Sequence, residues 1–267
     1  MNQRLAVLGA GNMGEAVLAG ALSAGWAAAD VVATVRTEAK AQHLRETYQV
    51  ATTSDNVAAV RGAGLVLVGV KPKDVGALLD EIAPGIDADA VVVTVAAGHP
   101  TSFYEKRLPA GTSVVRTVPN TPAAIGAGIT AIAPGAAATD ADLDVVEHLF
   151  AGTGAVVRAA EKDLDAVTAI SGSGPAYIFY VADALAEAGV LLGLTRDVAR
   201  RLATQTLLGA SRLMDESGEH PVLLREKVTS PGGTTAAALR ALDDGGVRAS
   251  FLAAATAARD RAVALGG

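Results

Sequence analysis

The sequence predicts an α/β domain with a mostly parallel sheet, followed by an all-α domain. Three observations predict it. Short β-branched runs alternate with amphipathic stretches in the first part of the chain. A G-x-G-x-x-G triplet stands between the first of these runs and the first helical stretch. After about Glu161 the β-branched runs stop. Such alternation places helices on both faces of a parallel sheet. The expected boundary lies near residue 160, giving residues 1–160 and 161–267.

In chain order, "LAVL" (from Leu5), "VVATV" (from Val31), "LVLVGV" (from Leu65), "VVVTV" (from Val91), "SVVR" (from Ser113) and "GITAIA" (from Gly128) read as buried strands. Glu15 to Ala24, "EAKAQHLRETY" (from Glu38), "DVGALLDEIA" (from Asp74) and "DADLDVVEHLFA" (from Asp140) carry helical periodicity. "GAAATDAD" is an Ala-rich loop running into a helix cap. Beyond it, three long helical stretches cover most of residues 160–265, broken by Gly and Pro, with Thr195 as an N-cap candidate. Ile178, Val181, Leu185, Val190, Leu191 and Leu192 wrap apolar surface around much of the first of these. A domain of ~100 residues can hardly cover all of it, so a subunit interface is expected, with a tightly packed helical core as the alternative.

With 267 residues the chain can bury a sizeable core, and 51% apolar but only 3% aromatic residues make that core one of Ala, Val and Leu. The net charge of −6 argues against a nucleic-acid or anionic-membrane binder. The absence of Cys removes disulfides, thiol nucleophiles and thiolate metal sites, and fits a reducing compartment. No apolar run approaches the ~18 residues of a membrane span. Glu15 follows the first apolar run too soon for a signal peptide, so a cytoplasmic protein is expected.

"GAGNMG" gives Gly9 the turn, Gly11 the close approach to a pyrophosphate, and Gly14 the packing of helix on strand, with Asn12 and Met13 between them. Free amides and the helix dipole there favour an anion, so the first domain reads as Rossmann-type and dinucleotide-binding. The end of the second strand chooses the dinucleotide. An acid would hold an NAD ribose, but Thr34, Arg36 and Thr37 stand in its place. The guanidinium of Arg36 and the hydroxyl of Thr37 suit a 2′-phosphate. NADP(H) is therefore preferred and NAD(H) stays possible, the more so if Glu38 turns to the ribose. "GVKP" (with Val70, Lys71 and Pro72) and "VAAGHP" (with Ala96, Ala97 and Gly98) follow buried strands and extend the cofactor groove. Asn56 joins the expected cofactor-binding residues.

"TSPGGTT" (from Thr229) precedes the helical run "AAALRALDD". Its hydroxyls, Pro and two Gly suit a helix N-terminus that receives an anion. Amides of Gly233, Thr234 and Thr235, with the hydroxyl of Ser230, are the expected donors.

Taken with "PNTP" (from Pro119) and "SGSGPAY" (from Ser171), the ordered motifs "GAGNMG", "VKP" and "TSPGGTT" resemble the pyrroline-5-carboxylate reductases over nearly the whole chain. "TSPGGTT" followed by "AAALRALDDGG" is the most specific part of the resemblance. The resemblance implies NAD(P)H-dependent reduction of 1-pyrroline-5-carboxylate to L-proline. It implies an intertwined dimer built by the helical domain, often assembled into decamers. It also implies an active site between one subunit's dinucleotide domain and helical-domain residues, some from the partner. The anion then becomes the substrate carboxylate, held by Ser230, Gly232, Gly233, Thr234 and Thr235, with the Thr235 hydroxyl at the ring nitrogen.

His43 and His148 read as surface residues, and His220 as a loop residue that could line the site. His99, where the family more often has an aliphatic residue, could lie near the nicotinamide or cap the next helix. Glu216 and Glu219 read as exposed. No His, Asp or Glu cluster has metal-ligand spacing, and no metal is expected. Two rivals remain. A hydroxyacid dehydrogenase would carry a catalytic Lys on a Gly-rich helix, but the second domain has only Lys162 and Lys227, neither in that pattern. A non-catalytic NADP(H) sensor would have no need of "TSPGGTT".

Overall fold

The computed structural model describes residues 3–266. The described chain divides into two compact units: one runs to Ser173 and includes the residues from Ala258 onward, and the other is Gly174–Ala257.

The first unit is built on an eight-stranded sheet, in the order β3-β2-β1-β4-β5-β6-β7-β8. The strands are β1 (Leu5–Leu8), β2 (Val31–Thr34), β3 (Ala51–Thr53), β4 (Leu65–Val68), β5 (Val91–Thr94), β6 (Ser113–Val118), β7 (Gly128–Pro134) and β8 (Gly154–Arg158). All pairs are parallel except β6–β7. The order reverses at β1 and β4, so the loops after these strands open a crevice at their carboxyl ends.

Strand alternation explains the two hydrophobic layers. Leu5, Val7, Val31, Ala33, Leu65 and Leu67 face one side and meet α1 (Asn12–Ser23), while Ala6, Leu8, Val32, Val66 and Val68 face the other. After α2 (Glu38–Tyr48) and α3 (Asn56–Val60), the second layer is completed by α4 (Pro72–Ile82) through Val75, Leu78, Leu79 and Ile82, and by Tyr104 of α5 (Thr101–Glu105). The first is completed by α6 (Asp140–Phe150), through Leu143, Val146, Leu149 and Phe150. Thr139 caps α6 in a capping box with Asp142, the cap to which "GAAATDAD" points.

Two strands escape the sequence pattern. β3 has three residues, none of them buried, and β8 is a half-exposed edge. Neither carries the buried apolar run that marks a parallel strand.

From Leu164 the backbone is helical through α7 (Leu164–Val167), a π-helical turn (Thr168–Gly172) and α8 (Gly174–Leu191). The π turn ends on the first two residues of "SGSGPAY", Ser171 and Gly172. Then follow α9 (Arg196–Ser217), α10 (Pro221–Lys227), α11 (Thr234–Asp244) and α12 (Val247–Gly266). Thr195 occupies the N-cap position of α9 but makes no side-chain capping bond. In the second unit α8 and α9 pack through small residues: a Cβ on Gly189 would lie 2.8 Å from the Cβ of Ala199. The large apolar side chains are left outside. Leu191 and Leu192 are 88% and 84% exposed, and Ile178 and Leu185 are also exposed. They form no core within one chain. Among the described residues, no helix is long and apolar enough to cross a membrane.

Candidate active site

The loop after β1 is shaped by its glycines. Gly9 has φ +78°, and a Cβ there would lie 2.5 Å from Cγ1 of Val70. Its N–H donates to the Thr34 hydroxyl at 3.0 Å, which ties the first loop to β2. A Cβ on Gly14 would meet the Gly9 carbonyl at 3.0 Å, so α1 can approach the strand only with glycine there. Gly11 differs: a Cβ would find nothing within 4 Å. Gly11 is the N-cap of α1 and no side chain caps the helix. The amides of Asn12, Met13 and Gly14 donate to no other described group. Uncapped amides facing open space make an anion site, and they fit a dinucleotide pyrophosphate.

At the end of β2, a cavity of about 270 Å³ is bordered by Arg36, Thr37, Glu38, Arg45, Thr52 and Ser54. Arg36 is 80% exposed and its Nη2 donates to Asp74 at 2.7 Å. Thr37 is the N-cap of α2, accepting from the Lys40 amide at 3.4 Å. The Glu38 carboxylate is bound by Arg45. Asn56 opens α3 and its amide donates to the Glu81 carboxylate at 3.1 and 3.2 Å. Lys71 is the N-cap and Pro72 the first residue of α4, a position where the missing proline N–H costs nothing. Asn56, Lys71 and Pro72 border neither this cavity nor the next.

A second cavity of about 340 Å³ lies beyond β5 and brings Met13, Ala96, Ala97 and Gly98 together. Arg116 and Asp165 also border it, as do Thr168 and Ser173. These the sequence reading missed. Arg116 lies only three residues before "PNTP", and Asp165 and Thr168 lie six and three residues before "SGSG", so their nearness to motifs was the available signal. Ala262 and Leu265 of α12 border it too, and nothing local in the sequence marks them. Arg116, nine-tenths buried, faces Glu161 at 3.5 Å and Asp165 at 4.0 Å. Glu161 is further held by the Thr101 amide and hydroxyl at 2.6 and 2.8 Å. Asn120 of "PNTP" donates to the Ser171 carbonyl at 3.1 Å and accepts from the Ile129 amide at 3.0 Å. The two motifs are thus locked side by side.

His99 does not cap α5, whose N-cap is Pro100. Its ring stacks on Phe103 at 4.0 Å and its Nε2 lies 3.1 Å from the Pro72 carbonyl, joining the "AAG" loop to the "VKP" loop. His43 is exposed and binds Glu15. His148 is half-buried rather than a surface residue, because its ring lies over Trp26.

Within the second unit, "TSPGGTT" forms the turn before α11. The Gly233 amide donates to the Ser230 carbonyl at 3.0 Å, with Pro231 and Gly232 (φ +67°) at the centre, which is a type II turn. This uses the Gly233 amide, one of the expected anion donors. The amides of Thr234 and Thr235 donate to no other described group, and α11 has no side-chain cap. No described partner occupies the hydroxyls of Ser230, Thr234 and Thr235. His220 is the N-cap of α10, Glu216 pairs with Arg212, and Glu219 pairs with Lys227. Lys162 is exposed. Among the described residues, no group of three or more His, Asp or Glu side chains could hold a metal ion.

Comparison with known proteins gives two family matches. The pyrroline-5-carboxylate reductase dimerisation model matches residues 161–265. The model for NADP oxidoreductase, coenzyme F420-dependent, matches residues 4–98. The chain is 44% identical to the pyrroline-5-carboxylate reductase of Mycobacterium tuberculosis, over 97% of this chain and 95% of that protein. It superposes on a pyrroline-5-carboxylate reductase structure from Coxiella burnetii with TM-score 0.96 and 34% identity, covering all of both chains. A Plasmodium falciparum pyrroline carboxylate reductase structure with NADP bound gives TM-score 0.87 at 26% identity, over 100% of this chain and 99% of that one. The uncapped glycine loop, the paired "PNTP" and "SGSG" motifs and the open N-terminus of α11 therefore sit in a chain that belongs to the pyrroline-5-carboxylate reductase family.

Proposed function

We propose that the chain reduces 1-pyrroline-5-carboxylate to L-proline, acting on a CH–NH bond, with NADP(H) preferred over NAD(H). The observation that carries this reading is the N-terminus of α11. The amides of Thr234 and Thr235 and the hydroxyls of Ser230, Thr234 and Thr235 have no described partner there, and no side chain caps the helix. That is a carboxylate site. Ser230, Gly232, Gly233, Thr234 and Thr235 hold the carboxylate, with Gly232 and Gly233 shaping the turn. Thr235 orients the ring nitrogen.

Gly9, Gly11, Asn12, Met13 and Gly14 hold the pyrophosphate, and Arg36 and Thr37 the 2′-phosphate. Val70, Lys71 and Pro72 flank the dinucleotide, Asn56 is a further residue of the cofactor site, and Ala96, Ala97 and Gly98 receive the nicotinamide. The reduced nicotinamide supplies hydride. The protein positions the acceptor carbon and excludes misaligned poses. An imine that binds protonated needs no strong acid, because hydride addition to C=NH⁺ yields a neutral amine. This suits a site of amides and hydroxyls.

Residues 1–160 serve as the dinucleotide domain and residues 161–267 as the dimerisation and substrate domain. The dimerisation match beginning at residue 161 supports this division, although the compact units divide after Ser173 and again at Ala258. The exposed apolar surface of α8 supports a homodimer, and a decamer built from such dimers is the further assembly that the family resemblance implies. The cytoplasm, with its reduced dinucleotide pool, is the proposed compartment.

The test mixes purified protein with 1-pyrroline-5-carboxylate and NADPH or NADH, follows loss of reduced nicotinamide absorbance, and identifies proline by mass spectrometry. Consumption of NADPH coupled to proline is the expected result. Binding of dinucleotide without turnover would overturn the imine assignment and leave a sensor or another substrate.

A further inference from the structure

We infer that Arg45 is a positioning residue for cofactor choice: it holds the Glu38 carboxylate away from the ribose and leaves the cavity at the end of β2 open to a 2′-phosphate. This rests on the NADP(H) reading above.

Glu38 is the first acid in sequence after β2, the region where an acid would bond a ribose 2′-hydroxyl. Nothing in the local chain prevents that role. Glu38 is the first residue of α2 and its carboxylate is 79% exposed. Arg45 stands two turns further along α2. One arm of its guanidinium binds Glu38, and Nη1 donates to the Thr52 hydroxyl at 2.7 Å. Thr52 belongs to β3, which pairs directly with β2 (Ala33 opposite Thr52). The guanidinium is therefore braced from the sheet and from the helix. A planar fork with two fixed partners resists rotation better than an ammonium would.

Charge gives the brace its consequence. Arg36, Glu38 and Arg45 all border the cavity. Arg36 is itself paired with Asp74, so with Arg45 present the four side chains sum to zero. Without Arg45 they sum to one negative charge, and Glu38 stands free beside a group carrying more than one negative charge. A carboxylate released in this way repels a 2′-phosphate and accepts a hydrogen bond from a 2′-hydroxyl. The same acid is neutral to NADP(H) when braced and selective for NAD(H) when freed.

The test uses two fragments by calorimetry, adenosine 2′,5′-bisphosphate and 5′-AMP, so it needs no turnover. Wild type should favour the bisphosphate. Arg45→Met should weaken the bisphosphate about tenfold while leaving AMP unchanged or slightly tighter. Arg45→Lys, which keeps the charge, should recover most of that loss. The deciding variant is Arg45→Met with Glu38→Gln. Removing the acid should restore bisphosphate affinity to within about threefold of wild type, because no carboxylate remains to be held. Failure of this double variant to recover would overturn the proposal and make Arg45 a direct phosphate ligand. An unchanged preference in Arg45→Met would overturn it as well. Equal affinity of wild type for both fragments would instead overturn the NADP(H) reading, and the proposal with it.

Discussion

Alanine at Gly9 and alanine at Gly11 add the same methyl group to one loop, with opposite expected effects. At Gly9 the backbone has φ +78°, so alanine costs about 1 kcal/mol for the left-handed conformation. Its Cβ would also lie 2.5 Å from Cγ1 and 3.1 Å from the amide nitrogen of Val70. Relieving that overlap must shift the "VKP" loop and costs about 1–3 kcal/mol more. The sum, about 2–4 kcal/mol, lowers the melting temperature by about 5–15 °C in a chain of this size. At Gly11 the backbone is ordinary, with φ −74°, and a Cβ meets nothing within 4 Å. Alanine there should cost under about 1 kcal/mol of stability. The methyl would instead occupy the space in front of the free α1 amides and weaken NADPH binding about 10–100-fold, or ~1.4–2.8 kcal/mol. Scanning calorimetry reads the first effect, and fluorescence titration of NADPH the second. Wild-type NADPH affinity in Gly11→Ala would refute the assignment of that open space to the pyrophosphate. Wild-type melting in Gly9→Ala would refute the packing argument.

Three further outcomes are expected. Thr235→Ala should lower kcat/KM for the imine at least tenfold with NADPH affinity intact, and Thr235→Ser should recover much of it; unchanged kinetics would remove Thr235 from the site. Arg36→Ala should weaken NADPH about 10–100-fold and NADH less than about threefold, since a charge-assisted bond is lost only with the former; equal losses would assign Arg36 another role. Burial pushes the Glu15 carboxyl up, but hydrogen bonds and charge from Lys40 and His43 outweigh it and hold the group below the ordinary glutamate range. A lowered folded value stabilises the protein above the unfolded glutamate pKa, and that stability is lost as pH falls through the folded value. Glu15→Gln should therefore melt below wild type at neutral pH, with the gap closing below about pH 4; a gap that persisted in acid would exclude this linkage.

The sequence by itself determined the dinucleotide half of the fold. Buried parallel strands must be continuous apolar runs, and β1, β2, β4 and β5 are legible for that reason. The glycine spacing at Gly9, Gly11 and Gly14 is equally legible, because each position has its own steric demand. "TSPGGTT" declared a turn and a helix start because Pro231 and Gly232 suit a type II turn. It did not reveal that the turn consumes the Gly233 amide, since a hydrogen bond between backbone groups leaves no mark on side-chain identity. Edge strands β3 and β8 were hidden because a half-exposed strand needs no apolar run. Only the tertiary structure decided that Arg116, Asp165 and the end of α12 meet Ala96 and Met13 around one cavity. Likewise, only the pairing of β3 with β2 brings Thr52 under Arg45 and fixes what Glu38 can do. Local chemistry follows from residue type and spacing, whereas contacts between residues far apart in the chain exist only once strand order and helix packing are set.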